Sequence, residues 1–150
     1  MVKLETWVSL GSLGMSVMFA GLMISFYLFL VGPDSKGPVV YVDPQGVLIQ
    51  IISISGVPSL ILAGTVFGLQ KAHSVKNATI VLVTSGIILI LGMIIVTTIT
   101  PKINNNYIFG GLTASPLVFI VGGAAVVTFA IYSLYRSRIY RQNLDDGGGF

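Results

Sequence analysis

Few side chains in this sequence could do chemistry, and their spacing decides what chemistry that would be. Met15 and Met18 stand one helical turn apart, with Met23 further on, a spacing that could place two thioethers on one face for a soft ion such as Cu(I). Such a site needs a thiolate or an imidazole to complete it. The chain has no cysteine, and its one histidine, His73, lies in a polar stretch between Lys71 and Lys76. Packing is therefore the expected role of the methionines, and His73 reads as an interfacial residue rather than a ligand or proton carrier. Asp34 and Asp43 share a segment with Gly and Pro and could meet a cation, but acids in that company are expected to form turns. Asn77-Ala78-Thr79 matches a glycosylation acceptor, yet it abuts an apolar run on the side assigned below to the cytoplasm, so it is set aside. The sequence holds no Ser–His–Asp set, no cluster of His and carboxylates for a metal, and no Gly-rich phosphate loop beside a strand. The expectation is a chain that is not an enzyme by itself, with no catalytic residue, no cofactor and no metal.

The elements that would carry these residues are set by composition. Of the 150 residues 54% are hydrophobic and only 9% charged, and the mean hydropathy is +0.93. This composition does not suit a soluble globular core. Four runs, 7–31, 47–69, 78–99 and 112–135, approach or exceed the roughly 20 apolar residues a helix needs to cross a bilayer. None contains Asp, Glu, Lys, Arg or His. The first run is too long for the apolar core of a signal peptide and lacks a small-x-small cleavage site, so it reads as a retained signal anchor. The expected fold is an all-α membrane protein: a four-transmembrane-helix bundle in a single domain, 1–142, followed by a flexible tail, 143–150.

Cations assign the sides. Lys3, Lys71, Lys76, Arg136, Arg138 and Arg141 fall on one side of the four spans and only Lys36 and Lys102 on the other. Basic residues collect on the cytoplasmic side, so both termini and the short middle loop are expected there, in a multi-pass protein of the plasma membrane. This use of the cations accounts for the pI of about 9.3 without nucleic acid. Tyr27, Tyr41, Tyr107 and Phe109 should then lie near the outer interface, and Trp7, Tyr132, Tyr135 and Tyr140 near the inner one. The segment Val39-Val40-Tyr41-Val42 has β character and is expected as a short extended piece at the interface, as is Tyr107-Ile108-Phe109. Pro58, in the middle of the second span, predicts a kink, with Ser53, Ser55 and Ser59 available to the freed carbonyl.

The clearest pattern is in the first span, where Gly11, Gly14, Met18, Gly21, Ser25 and Leu28 alternate spacings of three and four. In lipid, such small-residue seams let helix backbones approach closely. The second span carries Gly64-Thr65-Val66-Phe67-Gly68 behind Ser55, Ser59 and Ala63, and the fourth carries Gly122-Gly123-Ala124-Ala125. These faces either pack the four helices on one another or bind another subunit. Arg136, Arg138 and Arg141, interleaved with Tyr135 and Tyr140, form a collar suited to anionic lipid head groups.

Pumps keep ionisable residues inside the membrane because those residues do the work, and the spans here have none. What fits is a non-catalytic accessory subunit of a larger integral membrane complex, its partners being other membrane subunits and lipids, with no nucleic acid and no soluble substrate. The alternative is a small oligomeric channel or transporter for an uncharged solute. In general character the chain resembles the small tetraspan accessory subunits of archaeal membrane enzyme complexes of the ammonia monooxygenase type. The likeness rests on Cys-free spans such as 80–99, the loop Lys102-Ile103-Asn104-Asn105-Asn106-Tyr107 and the basic end of the fourth span. It implies a structural subunit beside catalytic subunits that hold the copper, with no metal-binding residue in this chain.

Overall fold

The computed structural model describes residues 4–70 and 76–146. They form α1 (Leu4–Val31), α2 (Pro44–Ile51), a π turn (Ile52–Gly56), α3 (Val57–Gln70), α4 (Lys76–Ile99) and α5 (Gly110–Asp146), with short 3-10 turns in the loops and no strand among the described residues. Four stretches are long and apolar enough to cross a membrane: Leu4–Val31, Pro44–Leu69, Lys76–Lys102 and Gly110–Arg136. The second is α2, the π turn and α3 read as one span. The chain is thus an all-α, four-span membrane bundle. His73 and Lys71 lie outside the described residues, as do residues 147–150 of the suggested tail. The helical backbone of α5 runs on to Asp146, about 15 Å past Arg136 at 1.5 Å per residue.

The first and third spans run parallel and pack along their length, with the second span against α1 and α5 against α4; the second and fourth spans meet more sparsely. The interior has two apolar clusters. One, at the end opposite the termini, gathers Phe19, Met23, Phe26, Tyr27, Leu30, Leu48, Leu89, Met93, Val96 and Leu112 around Phe119. The other, near the termini, is smaller and built from Ala63, Val66, Ala78, Leu82, Val126 and Ala130.

Both interior prolines are accommodated by identifiable devices. Pro58 has no N–H for the carbonyl four residues back and its ring crowds that turn. The chain widens into the π turn immediately before it, where Val57 N–H reaches Ile52 O. Ser55 Oγ donates to Ile51 O at 2.9 Å and Ser59 Oγ to Gly56 O at 2.8 Å, so these two serines bond carbonyls on either side of the turn and not the one four residues before Pro58. The turn brings Gly56 between two rings: a Cβ there would stand 2.8 Å from both Phe19 and Phe119, whose centroids are 4.3 Å apart. In α5, Pro116 withholds the N–H that Leu112 O would accept, and Tyr27 Oη donates to that same carbonyl from α1. Tyr27 is consequently buried in the bundle, at the end of α1 opposite the termini.

Each of the two described loops carries a cap. Asp43 accepts from Gln45 N–H at 3.1 Å with Pro44 in the first helical turn, so this acid starts α2. Asn104 likewise accepts from Asn106 N–H at 3.1 Å, starting a 3-10 turn over Asn105–Tyr107; of the piece expected to be extended, Tyr107 closes this turn and Ile108 is extended.

Candidate functional site

Between the two apolar clusters lies a layer of small polar residues. Ser12 and Ser16 on α1, Ser59 on α3 and Ser85 on α4 are all buried. Ser16 and Ser85 hydroxyls are 2.7 Å apart and Ser12 and Ser85 3.4 Å. Ser12 Oγ donates to Ser59 O at 3.1 Å, and Ser16 Oγ to Ser12 O at 2.8 Å. Each hydroxyl has one hydrogen. With those of Ser12 and Ser16 given to carbonyls, the Ser85 hydrogen closes the bond to Ser16. One cluster of hydroxyls thereby ties three spans together, and no buried polar side-chain atom among the described residues lacks a partner.

The backbone crossings sit beside this layer. A Cβ on Gly86 would come within 2.6 Å of Val127 Cγ2 and 2.9 Å of Gly123 O, and one on Gly123 within 3.0 Å of Gly86 O. These two glycines let α4 and α5 touch backbone to backbone. Gly92 makes room for the Ala20 methyl of α1, a Cβ there standing 2.7 Å from Ala20 Cβ.

The glycines that the sequence singles out in the first two spans occupy a different place. The interior side of α1 is Ser9, Ser12, Ser16, Phe19, Ala20, Met23, Phe26, Tyr27 and Leu30. Gly11, Gly14, Met18, Gly21, Ser25 and Leu28 are all exposed and, at 3.6 residues per turn, lie on the opposite side. A Cβ on Gly14 or Gly21 would meet nothing within 4 Å, and one on Gly11 only Leu62 at 3.6 Å. Gly64 and Gly68 are exposed with the same open space, whereas Ser55, Ser59, Ala63 and Val66 on that span are buried. On the fourth span both expected glycines face inward: a Cβ on Gly122 would press Leu60 at 3.3 Å, and Gly123 makes the crossing with Gly86.

The remaining candidates do not converge. Met23 is in the core while Met18 is on the outward side of α1. Among the described residues no group of three or more His, Cys, Asp or Glu could hold a metal. Ala78 and Thr79 of the glycosylation triplet are buried in α4. Arg136 is exposed beside exposed Tyr132 and Tyr135, with Trp7 exposed on α1; the side chains of Arg138 and Arg141 lie outside the described residues. What the sequence reading passed over is the Ser9, Ser12, Ser16 stripe, whose spacing of three and four was visible beside the glycine seam. No protein-family profile matches the chain, and no curated protein or solved structure matches it.

Proposed function

We propose that this chain is a non-catalytic subunit of a larger integral membrane complex, and that the outward seam of α1 receives a transmembrane helix of another subunit. The observation that supports this is the division of the glycines. Internal crossings use Gly86, Gly92 and Gly123, while Gly14 and Gly21 lie on the opposite side of α1 with open space above them. Small residues gain little against lipid tails and much against a second backbone, which approaches closely only where side chains are absent. Gly64 and Gly68 offer a second face of the same kind.

In this reading both termini are cytoplasmic, in the plasma membrane, and the basic collar that starts at Arg136 holds anionic head groups at the inner surface. The complex would be of the sort the sequence resembles, an archaeal enzyme complex of the ammonia monooxygenase type, with its chemistry in the neighbouring subunits. Within one chain the interior is filled by Phe19, Met23, Leu89, Met93 and Phe119, so a solute path would have to form between chains.

Purification from gently solubilised membranes tests the proposal. The native chain is expected to migrate with partner subunits, and Gly14→Leu or Gly21→Leu to be released from them while keeping its helical content. A chain that always runs alone at monomer size overturns it. Solute flux in liposomes holding only this protein would instead support the channel alternative.

A further inference from the structure

The loop between the first and second spans is a built structure that ends in an unprotected apolar tip. Gly32 N–H donates to Leu28 O at 3.3 Å, Lys36 N–H to Pro33 O at 3.2 Å and Gly37 N–H to Val31 O at 3.1 Å. Gly32 has φ +62, and a Cβ there would lie 1.9 Å from Gly37 O; Gly37 has φ +99 and rests on the Tyr107 ring. Only glycines fit this brace. Past it the chain turns outward, and Val39, Val40 and Tyr41 are 85%, 65% and 95% exposed before Asp43 begins α2.

Three features say what covers this tip. The loop is pinned at both ends to membrane spans, at Val31 and Pro44, so it sits at the level where hydrocarbon gives way to head groups. Its charges, Asp34, Lys36 and Asp43, flank the tip and are absent from it. Exposed apolar side chains continue from it down both spans, through Phe29 on α1 and Ile49 on α2. Two aliphatic side chains and a tyrosine, with its apolar ring and polar hydroxyl, form a composition suited to the interface.

We propose that Val39, Val40 and Tyr41 insert into the boundary between head groups and acyl chains, in the leaflet opposite the termini, and that their partner is the bilayer itself. The brace at Gly32, Gly37 and Tyr107 aims the tip sideways into lipid instead of folding it over the bundle.

The test uses the full chain with Trp7→Phe, so that Val40→Trp or, separately, Tyr41→Trp carries the only indole. Each variant is reconstituted alone in phosphatidylcholine vesicles, with and without lipids brominated on their acyl chains. The expected result is blue-shifted emission, large loss to the brominated lipid and little loss to iodide present on both sides. Emission quenched by iodide and indifferent to bromine overturns the proposal, because the tip is then in water. Emission indifferent to both also overturns it, because protein then covers the tip. A spin label at Tyr41→Cys, in a chain without other cysteines, gives the same decision through accessibility to oxygen against a water-soluble nickel complex, should either Trp variant misfold.

Discussion

Glycines on the two sides of the first and third spans should respond in opposite senses to one added methyl. In Gly86→Ala the new Cβ would stand 2.6 Å from Val127 Cγ2 and 2.9 Å from Gly123 O. The valine can turn, but the carbonyl belongs to the α5 backbone, so the α4–α5 crossing must open. Overpacking of this kind costs about 1–3 kcal/mol, and the smaller backbone entropy of alanine in a helix returns at most about 1 kcal/mol. With the full return a net loss of about 0–2 kcal/mol is left, so this variant should lie below both outward ones. In Gly14→Ala and Gly21→Ala the methyl meets nothing within 4 Å, so only the favourable term remains and stability should be unchanged or up to about 1 kcal/mol higher. The assay is reversible unfolding of the isolated chain in mixed micelles with rising dodecyl sulfate, followed by far-ultraviolet circular dichroism. The reasoning fails if Gly86→Ala is as stable as Gly14→Ala and Gly21→Ala, or if either outward alanine destabilises the chain on its own.

Other outcomes follow from the same contacts. Tyr27→Phe leaves Leu112 O without its donor and should cost about 1–3 kcal/mol; adding Pro116→Ala restores an N–H for that carbonyl, and the double-mutant cycle should show a coupling well above error. Ser85→Ala removes the hydroxyl that links Ser16 and Ser12 and should cost about 0.6 kcal/mol, and no more than about 1.7, in the same micelle titration, the average and the maximum for hydrogen bonds between membrane helices. With single cysteines in a chain that has none, Lys36→Cys and Lys102→Cys should react with a membrane-impermeant maleimide from outside the cell, and Lys76→Cys only after the cells are opened; the reverse pattern would invert the topology.

The spans were legible in the sequence because hydrocarbon demands length and apolarity together, and runs 7–31, 47–69, 78–99 and 112–135 have both. Where the helices stop was less so. Arg136 ends the fourth apolar stretch but not α5, since arginine is a good helix former in water. Hidden altogether was which side of each helix faces inward. A soluble helix advertises its interior by polarity, but in lipid both sides are apolar, and small residues occur on both. Gly14 and Ser12 are equally plausible packing residues in sequence, yet one faces out and the other is buried against Ser59 and Ser85. The role of Tyr27 was hidden for another reason: its partner carbonyl, at Leu112, is freed by a proline 89 positions away in the chain.

The buried serines also determine how high each helix stands against its neighbour. Apolar stripes a turn apart are nearly equivalent, so two such helices could slide past one another by a 5.4 Å pitch at little cost. Here a slide of α4 along α1 would part Ser85 from Ser16. It would also bring a branched neighbour such as Leu89 or Val96 against Ala20, where Gly92 alone leaves room. Two locks that must close together leave one vertical setting for the pair. The bundle then has a definite hydrophobic height, a gauge to which the surrounding bilayer must thin or thicken rather than the reverse.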